Sequence, residues 1–145
     1  MQLVSKSPHQ TKRFAAQLAH KIASGTSSLP VVIALEGELG AGKTTFVQGF
    51  AKALGVTSKV RSPTFLLIKS YKLKNLSYKL LYHVDCYRVR DWRDLVPLEI
   101  RSILKDHRNI VLIEWSERVS RLLPAKRVRV HLDHQDARTR HITIS

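Results

Sequence analysis

Cysteine is nearly absent from this sequence, since Cys86 is the single one among 145 residues. One thiol excludes a disulfide within the chain, and so excludes the disulfide-stapled class of small secreted domains. We therefore expect a protein of the reducing cytoplasm. We interpret Cys86 as a packing residue of the core.

Long apolar runs are missing as well. No segment approaches the 18 consecutive apolar residues that a membrane helix requires. The opening residues, MQLVSKSPHQTKR, lack the apolar stretch of a signal peptide. We expect neither membrane insertion nor secretion. With 43% hydrophobic and 25% charged residues, the chain has the composition of an ordinary globular protein, and its length predicts one domain, 1–145.

Acidic residues are scarce: 11 Asp and Glu face 25 Lys and Arg, which leaves a net charge of +14. Such an excess has three interpretations, namely a nucleic-acid surface, a surface for an acidic protein partner, or plain solubilising charge. The basic residues are spread along the chain, and the densest stretch without an acid runs from Lys59 to Lys79. Composition alone leaves the three interpretations open.

The chain does contain one strong motif, GELGAGKTT at residues 37–45. Its spacing is that of a P-loop, and an apolar run precedes it while a helix-compatible run follows it. A glycine-rich turn at a helix N-terminus aims backbone N–H groups at an anion. Lys43 would add a charge on the β- and γ-phosphates, and the Thr44 hydroxyl would bind Mg²⁺. The motif thus predicts the phosphates of a nucleotide with Mg²⁺ as ligands, held by Glu38, Leu39, Gly40, Ala41, Gly42, Lys43, Thr44 and Thr45.

Two acids are expected at strand ends, where a P-loop protein needs a carboxylate for its metal ion or its attacking water. Glu114 directly follows the apolar run Ile110–Ile113, and Asp85 ends a run of alternating residues. Strand alternation puts His83 and Asp85 on one face. We interpret Glu114 as the metal- or water-linked acid and His83 as a hydrogen-bonded structural residue.

The order of the predicted elements, α-β-α-β-β-α-β-β-β, indicates an α/β fold: a P-loop NTPase-like mixed sheet flanked by helices in three layers. Ser7-Pro8-His9-Gln10 predicts the start of the first helix. The other predictions are listed by range: a hairpin of strands 64–73 and 78–89 that turns at Lys74-Asn75, a helical segment 91–106 broken by Pro97, and strands 110–113, 128–132 and 141–144.

Four motifs follow one another along the chain: GELGAGKTTF, Ser62–Phe65, Leu81–Arg88 and Leu112–Glu117. Together they resemble the TsaE (YjeE) family, the small ATPase of bacterial tRNA threonylcarbamoyladenosine synthesis. The resemblance covers nearly the whole chain and is weakest before residue 30 and between residues 89 and 109. One departure from the family pattern is Pro97 in Val96-Pro97-Leu98-Glu99, where relatives usually carry glycine.

The resemblance implies a protein that binds ATP and Mg²⁺, hydrolyses ATP slowly and acts with a TsaB–TsaD pair. That machinery places a threonylcarbamoyl group on the adenosine next to the anticodon of tRNAs that read ANN codons. The resemblance leaves open whether tRNA is reached through the complex or contacts this chain directly, and it implies neither DNA nor a membrane as a partner.

Site roles also follow from the resemblance. It implies catalytic roles for Lys43, Asp85 and Glu114, and Mg²⁺ binding by Thr44 and Glu114. Two further groups of residues would contact or sense the nucleotide: Ser62 and Thr64 in a switch-like loop, and Glu117.

Two other functions compete with this one. A small-molecule or nucleotide kinase also opens with a P-loop, but it usually adds an arginine-bearing lid and an acceptor pocket, for which 145 residues leave little room. An RNA-binding module with a structural nucleotide would suit the positive charge, but no RNP or KH motif supports it.

Overall fold

The described part of the chain, residues 1–25, 29–63, 66–74 and 76–145, forms a sheet of seven strands with helices on both faces in this computed structural model. The strands are β1 (Gln2–Ser5), β2 (Val31–Glu36), β3 (Ile68–Lys72), β4 (Leu80–Asp85), β5 (Asn109–Glu114), β6 (Val128–His134) and β7 (Arg140–Ile144). The helices are α1 (Pro8–Ala23), α2 (Lys43–Ala53) and α3 (Ile100–Lys105), with 3₁₀ segments η1 (Trp92–Leu98) and η2 (Ser116–Leu122).

The strand order is β1-β7-β6-β2-β5-β4-β3. The four inner strands β6, β2, β5 and β4 run parallel, whereas β3 at one edge and β7 and β1 at the other run antiparallel to their neighbours. All parallel strands therefore end at the same edge of the sheet, with β2 between β5 and β6. In open α/β sheets, ligands bind at this carboxyl edge, where the strand order switches direction.

Two apolar cores separate the three layers. On one face, α1 and α2 bury residues such as Phe46 and Phe50 against Leu35 and Leu112. On the other face, η1, α3 and η2 contribute residues such as Leu95 to a second core that contains Val84 and Cys86. The inner strands are buried on both faces, as their near-continuous apolar sequences predict.

Helix α1 begins as its sequence predicts. The Ser7 hydroxyl accepts the Gln10 N–H at 3.0 Å, Pro8 occupies the first turn, and the Gln10 side chain accepts the Lys6 N–H at 2.7 Å. The first bond satisfies an N–H group that the first turn leaves without a helical partner, and the second fixes the residue before the cap. Helix α1 then lies across α2 at Gly49, where a Cβ would stand 2.5 Å from the Cα of Lys12.

The predicted mixed sheet and its hairpin are confirmed, because β3 and β4 pair antiparallel from Ile68 with Val84 to Lys72 with Leu80. The predicted strand bounds 64–73 and 78–89 are too long. The described part of β3 begins at Ile68, because Leu67 has left-handed backbone (φ 61°) and donates its N–H to Pro63 in a turn. Strand β4 ends at Asp85, and a turn follows it. Thr64, Phe65 and Asn75 lie outside the described residues.

Three further differences separate the structure from the sequence-based expectation. Strand β1 was not predicted, since its half-exposed sequence QLVS has no apolar run and it joins the sheet only through β7. Segment η2 was missed as well. The predicted helix 91–106 is two pieces, and the break lies at Glu99 (φ 62°) and not at Pro97, which fits inside η1. Within the described residues, no helix is long and apolar enough to span a membrane.

We predict that Gly49→Ala destabilises the fold by about 1–3 kcal/mol, because the added methyl group overlaps the α1 backbone and the two helices must separate. Urea unfolding measures this change. Gly25→Ala is the matched control, since a Cβ there comes no closer than 3.5 Å to its neighbours. Equal stability of the two variants would show that α1 and α2 do not approach this closely.

Candidate functional site

The glycine-rich loop 37–42 connects the end of β2 to the first residue of α2. Gly37 (φ 140°) lies against β6, where a Cβ would collide with the Leu132 carbonyl oxygen, and Gly42 (φ 103°) caps α2 in the left-handed region. Side chains at these two positions would be strained or would clash. The loop thus places backbone N–H groups and the positive end of α2 at the carboxyl edge of the sheet, the arrangement of a P-loop.

Lys43 is buried against this loop. Its ammonium group donates hydrogen bonds to the carbonyl oxygens of Gly37 and, at 2.9 Å, of Glu38, and it lies 4.0 Å from the centre of the Trp115 ring. Burial lowers the pKa of Lys43 from its ordinary value, an effect that the nearby carboxylates of Glu114, Glu117, Asp85 and Glu38 oppose. The side chain is therefore a positioned cation within a group of acids.

Glu114 ends β5 and is 3% exposed. Its Oε1 accepts the Thr44 hydroxyl at 2.8 Å, and its Oε2 lies 2.5 Å from Nε2 of the fully buried His83. Both carboxylate oxygens are thus occupied, one by the first turn of α2 and the other by β4. His83 is hydrogen-bonded, as expected for a structural residue, and its partner is the predicted metal-linked acid itself.

Asp85 lies beside Glu114, because the parallel register of β4 and β5 pairs the two residues. One of its oxygens accepts the Ser62 hydroxyl, and the other accepts the Tyr87 N–H at 3.0 Å. Asp85 is 8% exposed. The structure therefore brings a second carboxylate to the same edge and links it to the loop that follows α2.

These side chains line one cleft of about 360 Å³ above the loop: Leu39, Gly40, Gly42, Lys43, Thr44, Thr45, Ser62, Asp85, Tyr87, Glu114 and Trp115. Of the other predicted residues, Ala41 is buried beneath the loop. Glu38 is exposed on the loop, and Glu117 is exposed in η2, outside the lining. Thr64 lies outside the described residues. The predicted phosphate and acid residues thus meet, whereas Glu117 reaches Lys43 only through its charge.

Several residues at the site were not singled out as ligand-binding from the sequence. Trp115 has left-handed backbone (φ 57°), which turns its ring over Lys43 and against Tyr87, 5.2 Å away between centroids. Strained backbone of this kind concentrates at functional sites. From β6 and β7, His134 and Arg140 contact the carbonyl oxygens of Leu39 and Gly40, each at 3.3 Å. Because these contacts span 95 and 100 residues, local sequence pattern could not reveal them.

The parallel strand order, the glycine loop at the end of β2 and the strand-end acid together define a P-loop protein of the α/β class. The family model described as "Threonylcarbamoyl adenosine biosynthesis protein TsaE" matches residues 5–142. The chain therefore belongs to the TsaE family.

Individual relatives agree with this assignment. The chain is 36% identical to a Bacillus subtilis protein named "tRNA threonylcarbamoyladenosine biosynthesis protein TsaE", over 95% of this chain and 80% of that protein. A Treponema pallidum protein of the same name is 32% identical over the full length of both chains. The crystal structure of Bacillus subtilis YdiB superposes with a TM-score of 0.72 at 29% identity, covering 99% of this chain and 83% of that one.

Cys86 follows the site residue Asp85 in sequence. Its side chain is fully buried in the second core, the one formed with η1, α3 and η2. Burial, with the charge of Asp85 as a smaller cause, raises the pKa of the Cys86 thiol to about 12. We predict that a maleimide reagent at pH 8 does not label the native protein, whereas it labels the urea-unfolded chain. Ser77→Cys, introduced with Cys86→Ala, is the exposed control and should react fully when native.

The same thiol has a pH consequence. An unfolded cysteine ionises near pH 8.5, so its proton is lost from the unfolded chain first, and the free energy of unfolding falls as pH rises from there towards 12. In the maleimide experiment, rapid labelling of the native protein at pH 8 would contradict the buried position of Cys86.

Proposed function

We propose that this chain binds ATP with Mg²⁺ in the loop cleft and hydrolyses it slowly, in support of threonylcarbamoyl transfer to the adenosine next to the anticodon of ANN-reading tRNAs. The observation that supports it best is the 2.8 Å contact between Thr44 of the loop helix and Glu114. It joins the two protein groups that hold the metal ion in P-loop proteins. Membership in the TsaE family supports the tRNA part of the proposal.

The loop would hold the phosphates mainly through backbone N–H groups and Lys43. The Lys43 ammonium group is already confined between two loop carbonyls and the Trp115 ring, so little side-chain entropy remains to be lost on binding. A second cleft of about 420 Å³ shares Gly40, Gly42 and Thr45 with the phosphate cleft and extends towards the start of α1. A nucleotide can therefore lie across the loop with its base in this second cleft.

Thr44 and Glu114 suit Mg²⁺ chemically, because both present oxygen atoms and this ion prefers oxygen ligands, with phosphate and water completing its shell. When bound, Mg²⁺ would neutralise charge on the phosphates. His83 has its own part in this site, since its Nε2 fixes the orientation of the Glu114 carboxylate. Asp85, tied to Ser62, would order water at the same edge.

The mouth of the cleft supports a protein partner. Leu39 and Tyr87, which both line the cleft, are 69% and 40% exposed, which is unusual for large apolar side chains beside a polar cleft. We propose that a TsaB–TsaD complex covers this rim and orders the Ser62 loop. Partner proteins would then exclude water from the cleft and speed a reaction that is slow in the isolated chain.

We predict that Mg-ATP raises the melting temperature of the wild-type protein and that Lys43→Ala loses most of this rise, because ligand binding to the native state stabilises it by mass action. Differential scanning fluorimetry measures both. Lys52→Ala, an exposed position near the end of the same helix, is the control and should keep the full rise. A rise in Lys43→Ala equal to that of wild type contradicts the phosphate assignment.

We predict that Glu114→Gln separates binding from hydrolysis. The loop amides and Lys43 still hold the anion, so ATP affinity should stay within about tenfold, or about 1.4 kcal/mol. Single-turnover hydrolysis should fall about a hundredfold or more, because a charged group that positions water or metal is lost. Asp85→Asn should also slow hydrolysis.

Glu99→Gln is the matched control for Glu114→Gln, since Glu99 is exposed at the N-cap position of α3, makes no side-chain capping bond there and does not line the cleft. Both variants should be compared with wild type in the presence and absence of the partner pair. Normal turnover in Glu114→Gln would reduce Glu114 to a strand-end acid and refute the mechanism.

A further inference from the structure

A further groove lies beside the edge strand β3, separate from the loop cleft and from the second cleft near α1. Its walls are residues 54–58, which follow α2, and residues 69–72 with Lys74, and it encloses about 600 Å³. We call this the β3 groove. None of its ten lining residues lines the loop cleft. A ligand held here would therefore not compete with the nucleotide for contacts.

The chemistry of the β3 groove suits phosphate. Among the residues that the structure describes, its lining includes three lysines and four hydroxyl side chains but no carboxylate: Lys69, Lys72, Lys74, Thr57, Ser58, Ser70 and Tyr71. The three lysines are exposed, and within the described residues none forms an ion pair with an acid. Elsewhere on the described surface, Arg93, Arg108 and Arg129 each contact a carboxylate. The positive charge of this groove is thus not neutralised from within the described chain.

Tyr71 gives an independent indication of a ligand. Its side chain lines the groove and the residue is 6% exposed, yet its hydroxyl group has no hydrogen-bond partner in the described structure. A buried hydroxyl without a partner costs stability, and such a group in a native protein calls for an explanation. Because the hydroxyl oxygen is itself buried, a phosphate or ribose oxygen in the groove would supply the missing partner once the Lys69 side chain, which lies over the Tyr71 ring, moves aside.

The lysines reach the groove from both faces of the edge strand. Successive side chains of a strand point to opposite faces, so Lys69 shares the face of Tyr71, with its ammonium group 5.4 Å from the centre of that ring, and Lys72 lies on the other face. Ammonium groups on two sides of a groove can contact a polyanion that lies between them. The groove can therefore hold a stretch of phosphodiester backbone across β3.

An acidic peptide strand is the main competing occupant, because β3 is an edge strand of the described sheet and pairs only with β4 among the described residues. Lysines on an edge strand oppose the addition of another strand, however, since they must be displaced or desolvated before backbone groups can pair. The ammonium and hydroxyl groups of the groove can instead donate hydrogen bonds to phosphate and ribose oxygens. The chemistry thus favours nucleic acid over a paired peptide.

We propose that the β3 groove binds the phosphodiester backbone of RNA, so that this chain contacts the tRNA directly. The proposal rests on the proposed function for the identity of the RNA, and it adds a binding surface outside the nucleotide site. Contacts to phosphate fix position without reading sequence. The groove would therefore orient the tRNA and leave the choice of tRNA to other groups.

The test measures binding of a fluorescein-labelled, unmodified tRNA transcript to the full chain by anisotropy, between 50 and 300 mM salt. We expect the triple variant Lys69→Glu, Lys72→Glu and Lys74→Glu to bind at least about tenfold more weakly at 100 mM salt. The slope of log K against log salt should become shallower by about 2, the value for three lost phosphate contacts on single-stranded nucleic acid. Polyuridylate should displace the labelled RNA, and polyglutamate of equal charge should not.

A matched control carries the same charge change on exposed lysines elsewhere: Lys12→Glu, Lys21→Glu and Lys126→Glu. This control should bind the transcript within about threefold of wild type. Tyr71→Phe should weaken RNA binding about fivefold, the effect of one hydrogen bond, without lowering the melting temperature. Unchanged RNA affinity in Tyr71→Phe would overturn the role of its hydroxyl group.

An equal loss of RNA affinity in the triple variant and in its control would overturn the β3 groove as the RNA site, since net charge would then explain binding. Displacement by polyglutamate as effective as by polyuridylate would overturn RNA as the occupant in favour of an acidic peptide. The stabilisation by Mg-ATP is measured on the same samples. If Mg-ATP does not stabilise the wild-type protein, the proposed nucleotide function is refuted. If Mg-ATP stabilises the wild-type protein but the protein does not bind RNA, only the proposal for the β3 groove is refuted.

Discussion

The Glu114 carboxylate joins three parts of the protein that are far apart in sequence. Through Thr44 it holds the first turn of α2, through His83 it holds β4, and its own backbone belongs to β5. The pair with His83 is fully enclosed, so each group depends on the other for hydrogen bonding in a region that excludes water. The geometry of the glycine loop relative to the second acid follows from this one buried carboxylate.

The parallel register explains why that carboxylate meets the loop. Leu35, the residue before the last of β2, pairs with Glu114, and Asp85 pairs with Glu114 from the other side. Because the three strands point the same way, their ends form one row: the loop, Glu114 and Asp85. A shift of one residue in either pairing would turn a carboxylate into the apolar core on the opposite face.

The sequence predicted the parts of the site that local chemistry determines. Glycine spacing predicts a turn, and an apolar run followed by an acid predicts a strand end, so the loop and Glu114 could be identified without coordinates. The pairing of His83 with Glu114 could not, because it depends on the register between strands whose residues lie 31 positions apart. Strand β1 escaped prediction for a related reason: backbone bonds to β7, at the other end of the chain, place it in the sheet.

The two proposed phosphate sites would bind phosphate through different interactions. The glycine loop would bind phosphate with backbone dipoles and a buried lysine, at a position where water and salt screen poorly. The β3 groove presents exposed ammonium groups, whose attraction decays within about 8 Å at physiological ionic strength. Salt should therefore weaken phosphate binding in the β3 groove far more than phosphate binding at the glycine loop. The chain that joins them runs from Gly55 to Ser62, and Ser62 bonds Asp85 at the acid edge. One short segment thus forms a wall of the groove and ends in the loop cleft, so its position is constrained from both ends.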